Sequence, residues 1–323
     1  MPKPSAKKRA PRNRTLTLTT EERAALAAEL LRPERKLAAG EITDRVILGD
    51  VYRVAPLLPE KCVDLLILDP PYNLDKEFNG RKFSAGNDDD YRAYLESWLK
   101  LLLPALKPTA SVYLCGDWKS SAAGYQVLAK YFKLRNRIVW EREKGRGAKD
   151  NWKNCTEDIW YATVSGNFHF DVDAVKQLRK VVAPYRENGR PKDWKETGAG
   201  KYRLTCPSNF WDDLTVPFWS MPENTDHPTQ KPEKLMAKLI LASSKPGDLV
   251  LDPFLGSGTT AVTAKKLGRR FCGIEIDAEY ACCALARLHR AERSPEIQGM
   301  CCNVFFERNS RPDGFTSFPR EKK

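Results

Sequence analysis

The sequence lacks any apolar run that approaches the roughly 18 residues of a membrane-spanning helix. Its first 14 residues also lack the apolar stretch of a secretory signal. We therefore expect a cytoplasmic protein, with no membrane partner. In such a protein, nine cysteines are more often reduced thiols than a disulfide framework. The adjacent pairs Cys282-Cys283 and Cys301-Cys302 lack the two-residue spacing of zinc hooks, so we expect no metal.

Positive charge is in excess and is unevenly distributed. The 323 residues include 54 Lys and Arg against 42 Asp and Glu, a net charge of +12. Residues 133–203 carry +7 of it and residues 1–14 carry +6, while six of the eight tryptophans fall between 133 and 220. A cationic, Trp-rich middle section indicates a partner that is a polyanion with stackable rings, namely nucleic acid. Solvated surface cations around core tryptophans are the alternative.

Apolar runs of strand length alternate with longer amphipathic stretches, which indicates an α/β fold with a parallel sheet and crossover helices. The predicted strands are residues 45–49, 63–68, 111–115, 137–140, 158–163, 249–251 and 271–276. The predicted helices are residues 20–32, 89–106, 120–132, 232–244, 259–267 and 278–292. Thr19 and Glu22 form a capping box at the start of the first. Residues 165–222 are rich in Pro, Gly, Trp and charge, and interrupt the alternation as an insertion.

Two of the predicted strands end in an Asp-Pro corner. Residues 63–68 run into Asp-Pro-Pro-Tyr at 69–72, and residues 249–251 run into Asp-Pro-Phe-Leu-Gly-Ser-Gly-Thr-Thr at 252–260. Ligands of open parallel sheets bind outside the carboxyl ends of the strands. The two aspartates are therefore predicted to lie side by side, in neighbouring polar sites.

The second corner is typical of an adenosyl cofactor site. Gly256 and Gly258 allow close backbone approach, and the helix that follows directs free amides at a ligand. About 20 residues later, Glu275 ends another strand, where a carboxylate can accept hydrogen bonds from ribose. Asp252 disfavours a pyrophosphate and suits an ammonium or sulfonium. A glycine turn that merely starts a helix is the alternative.

The first corner indicates chemistry on an exocyclic amino group. Such a nitrogen is a poor nucleophile because its lone pair is delocalised into the base. Asp69 and the carbonyl of Pro70 can accept hydrogen bonds from it and so localise and aim the lone pair, while Tyr72 offers a ring for an extruded base. A capped strand end with a surface tyrosine is the alternative.

These motifs together resemble one family. Residues 69–72, the His-Pro-Thr-Gln-Lys-Pro sequence at 227–232 and residues 252–260 are similar, in that order, to the amino-methylating DNA methyltransferases of the β arrangement, including restriction-modification enzymes. The resemblance covers residues 41–293. It implies a Rossmann-like, mostly parallel seven-stranded sheet with permuted motif order, S-adenosylmethionine as methyl donor, double-stranded DNA as substrate and a flipped target base.

The resemblance also implies a division of the chain and a set of site residues. The divisions are a basic tail with a short helix (1–40), a catalytic half (41–164), a target-recognition insertion (165–222), a cofactor half (223–293) and a C-terminal extension (294–323). The catalytic residues would be Asp69, Pro70, Pro71 and Tyr72. The cofactor-binding residues would be Asp50, Asp69, His227, Thr229, Gln230, Lys231, Asp252, Phe254, Gly256, Ser257, Gly258, Thr259, Thr260, Glu275 and Asp277.

Several alternatives concern the reaction. Methylation of cytosine C5 needs a thiolate, typically from a Pro-Cys pair, and the sequence contains none. The resemblance implies adenine N6 as the target, because members of the family with Asp first in the tetrapeptide mostly act on adenine. Cytosine N4 methylation uses the same hydrogen-bonding step and stays open. A non-catalytic DNA-binding protein that keeps the fold, and methylation of RNA or protein, are further alternatives.

Contacts to DNA are predicted from the cationic middle section. Candidate phosphate contacts are Arg142, Lys144, Arg146, Lys149 and Lys153. In the insertion, candidates that could reach base edges are Arg179, Lys180, Arg186, Arg190 and Lys192. Each could instead be a solvated surface charge. Association with the nucleoid, a cognate restriction endonuclease, and a monomer or homodimer are further expectations.

Overall fold

The computed structural model describes residues 10–142, 149–197, 200–309 and 311. The α-helices in these residues are α1 (Thr20–Glu29), α2 (Ala39–Ile42), α3 (Val51–Val54), α4 (Asp88–Leu102), α5 (Trp118–Tyr131), α6 (Glu233–Ser243), α7 (Thr259–Lys266) and α8 (Ala278–Ala291). The strands are β1 (Arg45–Leu48), β2 (Val63–Leu68), β3 (Lys76–Phe78), β4 (Arg81–Phe83), β5 (Leu106–Gly116), β6 (Lys133–Glu141), β7 (Thr156–Thr163), β8 (Gln177–Lys180), β9 (Arg186–Glu187), β10 (Arg190–Pro191), β11 (Lys195–Thr197), β12 (Gly200–Thr205), β13 (Phe210–Trp211), β14 (Leu249–Asp252), β15 (Arg270–Glu275), β16 (Met300–Cys301) and β17 (Val304–Phe306). No helix of the described residues combines the length and apolar character of a membrane span.

The main sheet has the strand order β1-β15-β14-β2-β5-β7-β6-β13. All neighbours are parallel except for β7, which is antiparallel to β5 and β6. The expected α/β fold with a mostly parallel sheet is confirmed, and each of the seven predicted strands is present. The prediction of seven strands was one short, because Phe210–Trp211 adds an eighth at the edge beside β6.

The strands are buried on both faces because helices cover each side. One core packs α1, α6, α7 and α8 on one face, and the other packs α3, α4 and α5 on the opposite face. Successive residues of β2 alternate between them, so Leu65 and Ile67 join the first core while Leu66 and Leu68 join the second. Helix α1 begins with the predicted capping box, in which Thr19 and Glu22 exchange hydrogen bonds of 2.8 and 3.1 Å.

The insertion forms most of a second sheet, ordered β11-β12-β8-β17-β16. Its strands β16 and β17 come from the C-terminal extension, where Phe305 and Phe306 pair with Gln177 and Leu178. The insertion is therefore completed by the end of the chain. At the other end, Arg14 of the predicted basic tail donates its backbone N–H to the Trp219 carbonyl at 2.7 Å.

Candidate active site

A cleft of about 320 Å³ lies at the carboxyl ends of β1, β15, β14 and β2. The two Asp-Pro corners are side by side there, as predicted, because β2 and β14 are parallel neighbours. The predicted site residues that line the cleft are Asp50, Asp69, Pro70, Pro71, Tyr72, His227, Thr229, Gln230, Lys231, Asp252, Phe254, Gly256, Ser257, Thr259, Thr260, Glu275 and Asp277. Of the predicted catalytic and cofactor-binding residues, only Gly258 does not line it.

Two glycines shape the loop between β14 and α7. Gly256 has φ +53°, and a Cβ there would lie 2.9 Å from Nε2 of His227. Its backbone N–H donates to Oε2 of Glu275 at 2.6 Å. Gly258 caps α7 with φ +84°, and a Cβ there would lie 2.6 Å from that of Ala284 on α8. The first glycine brings the backbone to the cleft, whereas the second permits the loop to pack on α8.

The side of the cleft lined by Asp252 and Glu275 is rich in carboxylates. Burial raises the pKa of Asp252 to about 7, and Asp69 and Glu275 add to the effect. Burial also raises the pKa of Glu275 to about 7. Neither carboxylate has an ion-pair partner within the described part of the chain. This arrangement suits a cationic ligand that also carries hydroxyl groups, and disfavours a phosphate.

His227 is a neutral wall of the cleft. Burial lowers its pKa to about 3, and the nearby Lys231 and Lys76 lower it further. The ring lies edge-on to Tyr280, with centroids 4.5 Å apart. The neighbouring Gln230 has a structural role. Its side-chain amide donates to the Glu223 carbonyl at 2.7 Å and accepts from the Thr225 N–H at 2.9 Å. Gln230 therefore fixes the loop that presents His227.

The first Asp-Pro corner contains a buried ion pair that the sequence did not predict. Nζ of Lys231 lies 2.7 Å from both carboxylate oxygens of Asp69. Only 4% of the Lys231 side chain is exposed, against 18% of Asp69. The hydroxyl of Tyr72 donates to Oδ1 of Asp69 at 2.9 Å. The first corner is thus a network of charge-assisted hydrogen bonds rather than a capped strand end.

Glu157, at the start of β7, is part of the same network. Its Oε2 lies 3.1 Å from the Tyr72 hydroxyl and 3.5 Å from Nζ of Lys231. Arg142 donates to its other oxygen. Sequence reasoning missed Glu157, because its partners lie 85 and 74 residues away along the chain and no local motif marks it.

Side chains of α4 and α5 hold the backbone of the first Asp-Pro corner in place. The hydroxyl of Tyr91 donates to the Pro71 carbonyl at 3.0 Å. The N–H of Asn73 donates to Oγ of Ser120 at 2.9 Å. Both contacts immediately flank Tyr72, so the position of its ring is set by two helices of the scaffold.

The candidate DNA contacts fall into three groups. Arg142 and Arg179 have carboxylate partners within the chain, Arg142 with Glu157 and Arg179 with Asp212 and Glu307. Lys144 and Arg146 lie outside the described residues. The exposed candidates are Lys149, Lys153, Lys180, Arg186, Arg190 and Lys192.

Three of the exposed candidates belong to a small hairpin of the insertion. Strands β9 and β10 are joined by Asn188 and Gly189, with φ of +52° and +75°. A two-residue turn with both φ values positive is the tight hairpin type that matches strand twist. The indole N–H of Trp194 donates to the Tyr185 carbonyl at 2.8 Å, and the Arg186 guanidinium lies over the Trp194 ring. The hairpin is therefore anchored, while Arg190 is exposed.

No group of three or more His, Cys, Asp or Glu within the described ranges has the arrangement of a metal site. The nine cysteines are free thiols, distributed between buried and exposed positions. Cys115 and Cys272 are buried in the sheet, where burial raises the pKa of both thiols.

Comparison with known proteins gives a family match. The DNA methylase family matches residues 63–285. The DNA adenine methyltransferase YhdJ of Escherichia coli (strain K12) is 34% identical over 256 residues, which cover 77% of this chain and 84% of the relative. The type II methyltransferase M.HpaI of Haemophilus parainfluenzae is 33% identical over 249 residues, which cover 76% and 74%.

Two solved structures share the fold. The M1.HpyAVI–SAM complex is 24% identical, with a TM-score of 0.52 and coverage of 75% of this chain and 98% of that one. The PvuII DNA methyltransferase (cytosine-N4-specific) is 19% identical, with a TM-score of 0.55 and coverage of 75% and 85%.

Proposed function

Because the chain belongs to the DNA methylase family, we infer that it transfers a methyl group from S-adenosylmethionine to the N6 amino group of adenine in double-stranded DNA. The family predicted from the sequence is confirmed. The observation that carries the inference is the adjacency of Asp69 and Tyr72 to the carboxylate-rich cleft around Asp252. Acceptors for an amino group and acceptors for a cation meet at one edge of the sheet.

The cleft fits S-adenosylmethionine by the chemistry of its lining. Asp252 is buried without a cation, so a sulfonium or ammonium would stabilise its charged form. Glu275 and Asp50 lie at the ends of neighbouring strands, where we place the ribose and the adenine amino group of the cofactor. When bound, the cofactor supplies an electrophilic methyl group. The remaining work is done by residues of the chain.

Asp69 and Tyr72 orient the base that receives the methyl group. Asp69 and the Pro70 carbonyl accept hydrogen bonds from the two amino hydrogens, which localises the nitrogen lone pair. The Tyr72 ring, held by its own bond to Asp69, offers a face for the extruded base. Transfer would form the N–C bond as the bond between the methyl carbon and the sulfonium sulfur breaks, so that the sulfur leaves as a neutral thioether. The nitrogen would then be cationic and release one proton, for which Asp69 is the proposed acceptor.

Adenine is proposed over cytosine on two grounds. The first is the Asp at position 69, which opens the tetrapeptide. The second is that a relative named as a DNA adenine methyltransferase is 34% identical over most of this chain. The hydrogen-bonding step serves either amino group, so the assignment concerns the substrate and not the mechanism.

Nucleoside analysis tests the proposal. Duplex DNA is incubated with the enzyme and tritiated S-adenosylmethionine, then digested to nucleosides. We expect label in N6-methyl-2′-deoxyadenosine only. Label in N4-methylcytosine would contradict the adenine assignment, and absence of any label would favour the non-catalytic alternative. Unlabelled duplex DNA, RNA and protein added as competitors identify the substrate class, and only duplex DNA should compete.

We further propose that residues 165–222 read the target sequence and that Arg190, in their exposed hairpin, contacts DNA. Action on the nucleoid in the cytoplasm follows from a DNA substrate. A cognate restriction endonuclease acting at the same site, and a monomeric or homodimeric enzyme, complete the proposal. Sequencing of methylated positions in host DNA gives both the base and the site, and light scattering during gel filtration gives the oligomeric state.

A further inference from the structure

Two carboxylates share one hydroxyl at the catalytic corner. The Tyr72 hydroxyl lies 2.9 Å from Oδ1 of Asp69 and 3.1 Å from Oε2 of Glu157. Glu157 is 4% exposed and Asp69 is 18% exposed. Carboxylates this close in a buried site do not both stay ionised unless cations offset them, and otherwise one holds a proton.

Two cations offset the two carboxylates. Lys231 bonds both oxygens of Asp69 at 2.7 Å and lies 3.5 Å from Glu157. Arg142 bonds the far oxygen of Glu157. Burial alone would lower the pKa of Lys231, but the attraction of Asp69 and Glu157 outweighs it, so the pKa lies above its ordinary value. The four charges sum to zero.

Other titratable groups also face this network. They are Lys76 on β3, Tyr91 on α4, Cys115 on β5 and Asp252 on β14. Within the described residues, Lys231 is the cation in direct contact with Asp69. Lys231 bonds Asp69 directly, and Glu157 contacts both Lys231 and the Tyr72 hydroxyl that bonds Asp69.

The hydrogen bonds to Asp69 show how many of its acceptor sites remain free. A carboxylate has about four lone-pair sites. Lys231 takes one on each oxygen and Tyr72 takes a second on Oδ1. One site on Oδ2 is left for a substrate amino group. Protonation of Asp69 would convert an oxygen into a donor and disrupt this arrangement.

We propose that Lys231 and Glu157 are positioning residues of the methyl transfer. Lys231 keeps Asp69 ionised as a hydrogen-bond acceptor, and Glu157 holds Lys231 and the Tyr72 hydroxyl in register with it. This rests on the proposed function, in which Asp69 accepts from the base. It assigns to Lys231 a role on the catalytic side, beyond the cofactor wall expected from its motif.

The test follows the single-turnover rate of methyl transfer between pH 5.5 and 9 in a charge series. Lys231→Met leaves two carboxylates with one cation, so Asp69 and Glu157 share a proton near neutrality. We expect a rate about 100-fold below wild type at pH 6.5, rising with pH as that proton is lost. Lys231→Arg, which keeps the charge, should retain the wild-type pH profile.

The double variant distinguishes a positioning role from a purely structural one. Lys231→Met with Glu157→Gln again has equal numbers of opposite charges, so Asp69 is ionised at lower pH. We expect it to be at least tenfold faster at pH 6.5 than Lys231→Met alone, by partial recovery of the loss. A purely structural role predicts the reverse, since two core substitutions would add their losses. An additive loss, or a Lys231→Met profile parallel to wild type, overturns the proposal.

A single variant covers the case in which Lys231→Met does not fold. Glu157→Gln removes the competing carboxylate and should move any acid limb of the wild-type profile to lower pH. A shift to higher pH would count against the proposal. Thermal unfolding and cofactor affinity are measured for each variant. If wild-type enzyme methylates no DNA, the proposed function fails; if it methylates DNA but the charge series behaves additively, only this inference fails.

Discussion

Two clusters of buried charge lie close together along the chain, one around Lys231 and the other around Lys234 and Lys238. They differ in their ratio of anions to cations. Lys231 faces Asp69 and Glu157 at the cleft, with Arg142 as the second cation. On α6, Lys234 and Lys238 share the single carboxylate of Asp213, at 2.9 and 2.6 Å. The first cluster has as many anions as cations, whereas the second has an extra cation.

In the second cluster, backbone carbonyls take the place of the missing carboxylate. Nζ of Lys234 also bonds the carbonyls of Asp213, Phe306 and Arg308. Burial lowers the pKa of Lys234 to about 8, although Asp213 opposes the shift. These contacts join α6, the end of the insertion and the C-terminal extension. One cluster thus surrounds the carboxylate that we propose to act in the reaction, and the other holds three segments together.

Substitution of Asp69 should separate chemistry from binding most strongly. Asp69→Ala removes the acceptor for the amino group, and we expect the single-turnover rate to fall by about 10³-fold or more. Affinity for duplex DNA should change little. Stopped-quench assays and equilibrium binding measure the two separately. A variant with unchanged turnover would remove Asp69 from the proposed mechanism.

Substitution of Asp213 should have the opposite signature. Asp213→Ala leaves two buried ammonium groups without a carboxylate, and we expect a loss of about 3–5 kcal/mol in the free energy of unfolding. The rate per folded molecule should be unchanged. Asp212→Ala is the matched control, because Asp212 is 42% exposed and its pair with Arg179 should be worth less than about 1 kcal/mol. Equal losses in the two variants would contradict the comparison.

Asp252 offers a third case, a buried carboxylate without a cation. Because its pKa is about 7 in the fold, against 3.8 ordinarily, the unfolded chain releases its proton first as pH rises. Asp252 therefore costs stability progressively between about pH 4 and pH 7, and the cost is constant above that range.

Replacement by Asn should remove that cost. Asp252→Asn is expected to stabilise the ligand-free protein by about 2–4 kcal/mol at pH 8, and by less at pH 5. The same variant should bind S-adenosylmethionine more weakly. Thermal melts at both pH values and calorimetric titration measure these effects. A gain that is the same at both pH values would show that ionisation is not its cause.

Substitution of an exposed cation should have the smallest effect, and that effect should be on DNA binding. Arg190→Ala should flatten the log–log dependence of DNA affinity on salt by about 0.9 if the guanidinium meets a phosphate. If instead it meets a base edge, discrimination should fall by about 1–3 kcal/mol at one position of the site. Arg45→Ala, exposed at the amino end of β1, is the control and should change neither. Equal effects of the two variants would argue against the hairpin as a DNA contact.

The sequence predicts the main sheet well because its strands are apolar runs with sharp ends. Asp69 and Asp252 each end such a run, so both the strands and the position of the cleft follow from local pattern. Predicted helix bounds agree to within a few residues, since caps such as Asp117 and Asp277 are local. The residues of the three motifs, at 69–72, 227–232 and 252–260, are singled out by local sequence alone, but the pairing between them is not.

The remainder depends on contacts between distant residues. Lys231 is 162 residues from Asp69, and nothing near either residue shows that they form an ion pair. The second sheet was not predicted, because β8 pairs with β17 from the far end of the chain. Arg142 and Arg179 are typical DNA-contact candidates by composition, and only their positions beside Glu157 and Asp212 show that they have partners.

The pairing of β8 with β17 has a consequence for synthesis. Strands β8 and β12 leave the ribosome roughly a hundred residues before β17. At about 5–20 residues per second, that is a wait of roughly 5–20 s. During it, one edge of β8 has no partner strand and is open to pairing with another nascent chain. The proposed DNA-reading part of the enzyme is thus completed only after the strands that form the cleft have all been made.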